Sequence, residues 1–283
     1  MRISGWAAAL LGCLVAGFAI AAPSARDRVE SSLLVKGDIY LAADGTVLSH
    51  TLDHADELPP GVVDMMSRAV RNWRFEPIAL RDGHTRARAR MNVRVVASRL
   101  DDEHFKVEFR NAHFGQPPAS GESVEVEGVM TPPRYPHAAA KERVGGTVYL
   151  ALRVGRDGAV HDAAAEQVNL RYLASEHAMA RWRNLLAGAA IDKAREWRFT
   201  VPEQGQQADR PWWVVRVPVD FVMSHQVQPE DYQWNAYIPG PRPLIPWMDP
   251  ASQGRSDALA SGGIYPEQDT LELLTPLAPP DQG

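Results

Sequence analysis

Apolar and polar residues alternate with period two in six stretches of the chain. Leu33–Ala42 (LLVKGDIYLA) and Thr46–Leu52 (TVLSHTL) flank Asp44-Gly45, and Gly146–Val154 (GTVYLALRV) and Ala159–Val168 (AVHDAAAEQV) flank Asp157-Gly158. Asp-Gly between two such segments predicts a hairpin, because glycine accepts the positive φ of a tight turn. Val148, Leu150, Leu152 and Val154 fall on one face of the third segment. A fifth strand is predicted at 85–98, where Ala87, Ala89, Met91, Val93 and Val95 alternate with Arg86, Arg88, Arg90, Asn92 and Arg94. At 212–222, Trp213, Val215, Val217, Val219 and Phe221 alternate with Trp212, Val214, Arg216, Pro218 and Asp220. Proline cannot donate to a ladder, so this last strand is expected at a sheet edge. Residues 100–115 add one short strand.

The period changes to 3.6 in two places. Val62, Met66, Ala69 or Val70, and Trp73 form one stripe, entered through Pro59-Pro60, which suits a first helical turn. Trp182, Leu186, Ala190, Ala194 and Trp197 form the other, with Ser175 as N-cap and Gly188 marking a break into two helices. Each stripe ends in the same words: Asn72-Trp73-Arg74-Phe75 and Glu196-Trp197-Arg198-Phe199. The Trp closes the helical stripe and the Phe opens an extended segment. Trp73, Phe75, Trp197 and Phe199 are therefore read as joints where helix passes to strand with a large aromatic buried on each side.

The order hairpin, helix, Trp-x-Phe joint, strand occurs twice, so the chain reads as an internal duplication. Residues 30–115 form the first unit, 116–129 a Pro/Gly/Ser-rich linker, 130–223 the second unit, and 224–283 a Pro/Gly-rich tail without steady period, docked through Trp234, Tyr237 and Trp247. The fold class is α+β: two tandem small domains, each a three-stranded antiparallel sheet with helix packed on one face.

The amino-terminal residues bear on compartment. Arg2 precedes an apolar run from Trp6 to Ala22, and Ala19-Ile20-Ala21 has the small-x-small form of a signal-peptidase site, so 1–21 reads as a cleaved export signal and the protein as periplasmic. Two alternatives stand: an uncleaved anchor, since about 20 apolar residues span a bilayer, and a lipoprotein, since Leu10-Leu11-Gly12-Cys13 resembles a lipobox. Contact with membrane follows only from these. Cys13 is followed by further apolar residues, which favours export. It is the single cysteine in 283 residues, so a chain cut after Ala21 has no disulfide, thiol chemistry or Cys-bound metal. Hydrophobic residues at 45% give enough core for globular units, and a net charge of -5 argues against a nucleic-acid partner.

No motif of catalysis or cofactor binding occurs. His50, Asp53, His54, Asp56 and Glu57 are read as a solvated strand end rather than a metal site, because Asp53 and His54 face opposite ways in extended chain. His161-Asp162 reads as an ordinary exposed pair, the Arg86–Arg94 face as a solvated sheet face paired with acids, and Pro239–Pro243 as stiff tail. The expectation is a protein that is not an enzyme and takes no cofactor and no metal.

Residues 130–223 resemble the TonB C-terminal domain family. The resemblance rests on Pro133, Tyr135-Pro136, Ala139, Gly146, Val148, Gly158, Val160, the Trp197-Arg198-Phe199 joint and the last strand. Residues 33–98 look like a weaker copy without the Tyr-Pro opening, and 162–194 is longer than the family shows. The resemblance implies a small α+β fold that binds a segment of outer-membrane receptors, pairing with it at a sheet edge during transport across the envelope. Trp212, Trp213, Val214, Val215, Arg216 and Val217 are the expected partner-binding edge. The alternative is a structural, envelope-assembly role in which the paired units and tail make a homodimer.

Overall fold

A computed structural model describes residues 28–80, 83–101, 104–118, 120–223 and 229–278. The signal, anchor and lipobox readings concern residues outside these. No helix among the described residues is long and apolar enough to cross a membrane. The architecture is mainly antiparallel sheet with few helices.

In chain order, β1 (Glu30–Leu41) and β2 (Val47–Leu52) form the first hairpin, α1 spans Pro60–Asn72, and β3 (Ala87–Arg99) and β4 (Phe105–Gly115) follow. β5 (Glu125–Val126) and the short α2 (His137–Lys141) lead into the hairpin β6 (Gly146–Gly155) and β7 (Val160–Leu170). Then come α3 (Glu176–Ala194), β8 (Phe199–Thr200) and β9 (Trp212–Phe221). The tail carries β10 (Asn235–Tyr237), a 3-10 turn at Ser256–Ala258, β11 (Tyr265–Pro266) and a second 3-10 turn at Glu267–Asp269.

One sheet runs β10-β1-β3-β4 with β2 also on β1, and the other runs β11-β9-β6-β7. Each contains the three strands read from the sequence, in the same arrangement: β1 lies between β2 and β3, and β6 between β7 and β9. Both are wider than the expected three strands. β4 is 11 residues rather than a short strand, and the tail supplies β10 and β11.

Each sheet buries one face under a helix. Val62, Met66, Ala69, Val70 and Trp73 pack with Leu33, Ile39, Met91 and Val93, and Met179, Trp182, Leu186, Ala190 and Trp197 with Val148, Leu150, Val215 and Val217. α3 runs through Gly188 without the expected break. One glycine costs a helix only about 1 kcal/mol, and the buried stripe of Trp182, Leu186, Ala190 and Ala194 outweighs that.

The two joints match in detail. Gly45 and Gly158 take positive φ, at 81° and 71°. Phe75 N–H donates to Gly45 O at 3.0 Å, and Phe199 N–H to Gly158 O at 2.9 Å. A Cβ on either glycine would lie 2.0 or 2.1 Å from the carbonyl oxygen of Phe75 or Phe199, so only glycine lets joint and turn close. Both indoles are buried, while Arg74 and Arg198 between the aromatics are exposed.

The clasp over each joint differs. Trp197 Nε1 donates to Thr131 O at 2.9 Å, and β5 pairs with β8, so residues just before the second sheet cover its own joint. The stretch expected as a linker thus contributes a strand, and its Val124 is buried. Before the first sheet no segment does this among the described residues. Trp73 Nε1 donates to Leu277 O at 2.9 Å, Leu274 N–H donates to Arg74 O at 2.8 Å, and Phe75 bridges to Leu273. The tail returns across 204 residues to close the first core.

The rest of the tail lies on the sheet faces opposite the helices. Ile245 and Met248 pack on Ala151 and Val214, with Trp212 and Trp247 at the margin. Arg94 Nε donates to Asp257 O at 2.7 Å. Tyr237 is buried with its hydroxyl on Glu30 at 2.9 Å, whereas Trp234 stays 38% exposed.

Candidate peptide-binding edge

β9 brings Trp212 through Val217 together along one line, held in register by β6: Trp213 opposite Val154, Val215 opposite Leu152 and Val217 opposite Leu150. Trp213, Val215 and Val217 point into the core, and Trp213 Nε1 donates to Gln207 O at 3.2 Å. Trp212 is half-buried, 6.0 Å from the Arg153 guanidinium.

The expected open edge is partly filled. Tyr265 pairs with Arg216 and Pro266 with Val215, so at these two positions β9 has a strand on each side. The sequence places β9 at the rim because the tail strand that flanks it is two residues long and lies in an aperiodic segment. Pro218, opposite Tyr149 in the β6 ladder, comes after the pairing with β11 has ended. Among the described residues, Trp212, Trp213, Val214 and Val217 have no ladder partner on that outer side.

A charge cluster secures the join. Arg216 Nε donates to Glu166 Oε2 at 3.0 Å, Nη1 to Glu267 at 3.3 Å and Nη2 to Ser252 O at 2.8 Å. Burial pushes the Glu166 carboxyl above its usual range, opposed by the Arg216 charge. Truncating either buried partner would strand the other charge. The Tyr265 hydroxyl donates to Ala260 O at 2.9 Å, and its ring meets His113 of β4 edge-on at 5.1 Å. Burial, with a smaller effect from Arg216, drops the His113 imidazole to about 4, which keeps it neutral near pH 7. Behind β11 lies an open cleft of about 390 Å³, lined by Arg90, Asn92, His113 and Tyr265 among others.

Glu166, His113 and the tail contacts of Arg216 escape the sequence reading. Arg216, set between valines on a mostly apolar strand, is the one signal, since a buried arginine needs acidic partners.

The other singled-out residues lie elsewhere. Trp73, Phe75, Trp197 and Phe199 are the core joints. Tyr135 donates to Val144 O at 2.9 Å and stacks edge-on with Phe221, and Pro136 precedes α2 and accepts from Ala140 N–H at 2.9 Å. The Arg86–Arg94 face is laced with partners: Arg88 to Asp38 at 2.8 Å, Arg90 to Asp53, Arg86 over the Tyr40 ring. His54 pairs with Glu57, His161 with Asp157 and Asp162 with Arg153. No group of three or more His, Cys, Asp or Glu placed to hold a metal occurs among the described residues. Pro239–Pro243 runs beside β7, where Arg183 donates to Pro239 O and Gln167 to Gly240 O.

Sequence comparison gives a partial likeness. A stretch of 106 residues is 35% identical to protein TonB of Xanthomonas campestris pv. campestris strain B100, and equally to protein TonB of strain ATCC 33913. The match takes in 37% of this chain and 41% of each relative, so the chain spans less than half the length of the curated relatives it matches. No protein-family model matches the chain, and no solved structure matches it. The likeness is to a TonB-like domain.

Proposed function

We propose that this chain is a periplasmic, non-catalytic protein-binding module of the TonB type, built from two related units at about 30–115 and 130–223. It takes an extended segment of a partner, such as an outer-membrane receptor, as an added strand on β9 in transport across the envelope. The likeness to TonB supports the class, and the matched glycine turns and Trp-x-Phe joints support the duplication. The observation that carries the site is that β9 already accepts a strand, from the chain's own tail, at Val215 and Arg216.

That strand is a short occupant. It pairs at two positions, one of them a proline without an N–H, and a cleft of about 390 Å³ lies behind it. Trp212–Val214 offer unpaired backbone beside it as a starting point. A longer partner segment would begin there and displace Tyr265-Pro266, exchanging two pairings for more. Affinity would come from main-chain hydrogen bonds, and Trp212 would add contact area at low entropic cost.

The test is titration of extended receptor-derived peptides, followed by backbone amide shifts. Shifts at 212–217 with loss of the Tyr265 contacts are expected, and tighter binding in a Tyr265→Gly/Pro266→Gly chain. No shift at 212–217 in that double variant, at millimolar peptide, overturns the site.

A further inference from the structure

We propose that the outer edge of β4 is a homodimerisation surface, on which a second copy of this chain pairs antiparallel about a two-fold axis through Val107. β4 ends its sheet, and the tail occupies only one end of its rim. There Gly115 bridges to Thr270, Gln116 N–H donates to Asp269 O at 2.8 Å, and Leu271 N–H to Phe114 O at 2.8 Å. From Phe105 to Arg110 the rim has no ladder partner among the described residues.

The side chains of this stretch are unusual for an unpaired rim. Phe105 is 62% and Val107 44% exposed, on the face where Phe109 is buried in the first core. Charged side chains, prolines and bulges normally keep other strands off an exposed edge. Here the bulge, at Arg110 in the pairing with β3, lies beyond Phe109, and the opposite face carries Lys106 and Glu108, of unlike sign and paired with each other within one copy.

Alternating sign makes the rim complementary to itself. With the axis through Val107, Lys106 of each copy faces Glu108 of the other, Phe105 faces Phe109, and Val107 faces Val107. Moving the axis one residue to Glu108 sets Glu108 against Glu108 and Lys106 against Arg110, and moving it to Lys106 sets lysine against lysine. Unlike charges and apolar pairs directly opposite stabilise an antiparallel ladder, and like charges oppose it. The contact is isologous and closed, as expected for a stable two-fold dimer. It joins the first sheets of two copies and leaves β9 free, so it stands or falls separately from peptide binding.

Sedimentation equilibrium of the purified chain tests this. A concentration-dependent dimer is expected, weakened at least about tenfold by Lys106→Glu and by Glu108→Lys, each of which creates like-charge pairs across the axis. Mixing the Lys106→Glu and Glu108→Lys chains is expected to restore a dimer holding one copy of each. One chain is then acidic at both positions and the other basic at both, so every charge across the axis again meets its opposite. That restoration also shows that both variants fold. A chain that stays monomeric to about 1 mM, homodimers that persist in both variants, or a mixture without the mixed dimer would each overturn the proposal.

Discussion

The two joints are built alike and closed differently. Around Trp197 the covering segment is local: Thr131 and β5 come from the residues that lead into the same sheet. Around Trp73 it is remote: Leu273, Leu274 and Leu277 come from the tail. The glycine turn, indole and phenylalanine are the shared parts, and the strand laid over them is the exchangeable one. A joint needs an acceptor for its indole N–H and a partner for its extended backbone, whichever part of the chain supplies them.

Removing 271–283 is the largest perturbation that should separate the halves. The first core loses the half-buried Leu271, Leu273 and Leu277 and the acceptor for Trp73. Together these are worth about 5 kcal/mol. Hydrogen exchange should accelerate sharply in α1 and β1 and little in β6; equal acceleration in both halves would show that the closures are not independent.

Gly45→Ala and Gly158→Ala probe the shared parts. Each forces a Cβ against a joint carbonyl at positive φ, at a cost of about 3 kcal/mol. Chemical denaturation should show similar losses for both, since the glycine contact does not depend on which strand covers the joint.

Acid should act where β4 meets the tail. His113 titrates at about 4 in the folded protein and near 6.5 when unfolded, so the unfolded chain binds the extra proton. Stability from this group is intact above about pH 6.5 and falls as pH drops toward 4, by about 2 kcal/mol for a half-buried ring. The loss should centre where His113 meets Tyr265 and Thr270, and His113→Phe should flatten the pH dependence.

The smallest contrast concerns helix entry. Ser175 Oγ accepts from Ala178 N–H at 3.4 Å, whereas α1 starts at Pro60 without a side-chain cap. Ser175→Ala should cost about 0.5 kcal/mol by thermal melting.

What the sequence discloses and what it hides follow from range. Alternation, the 3.6-residue stripes and the repeated Trp-x-Phe are local signals, and they place the central strands, α1, α3 and the joints. The tail strand beside β9 escapes them because β11 is two residues long and contains a proline, leaving no periodic trace. The same holds for Leu273 and Leu277, whose role depends on a turn of chain 204 residues away. Gly188 suggests a break that does not occur, since the local cost of one glycine is small beside a fully buried helical face. His113 gives no signal at all: its neutrality comes from burial in a setting that includes Tyr265 and Arg216, neither of which is near it in sequence.

The return of Leu277 to Trp73 sets a timetable for synthesis. Translation delivers β1, α1 and β3 early, yet the roof of their core follows Trp73 by 204 residues. Until then a tryptophan and two phenylalanines wait under an incomplete cover, while the joint at Trp197 can already close on Thr131 and β5. The older half of the nascent chain is therefore the one most in need of a chaperone.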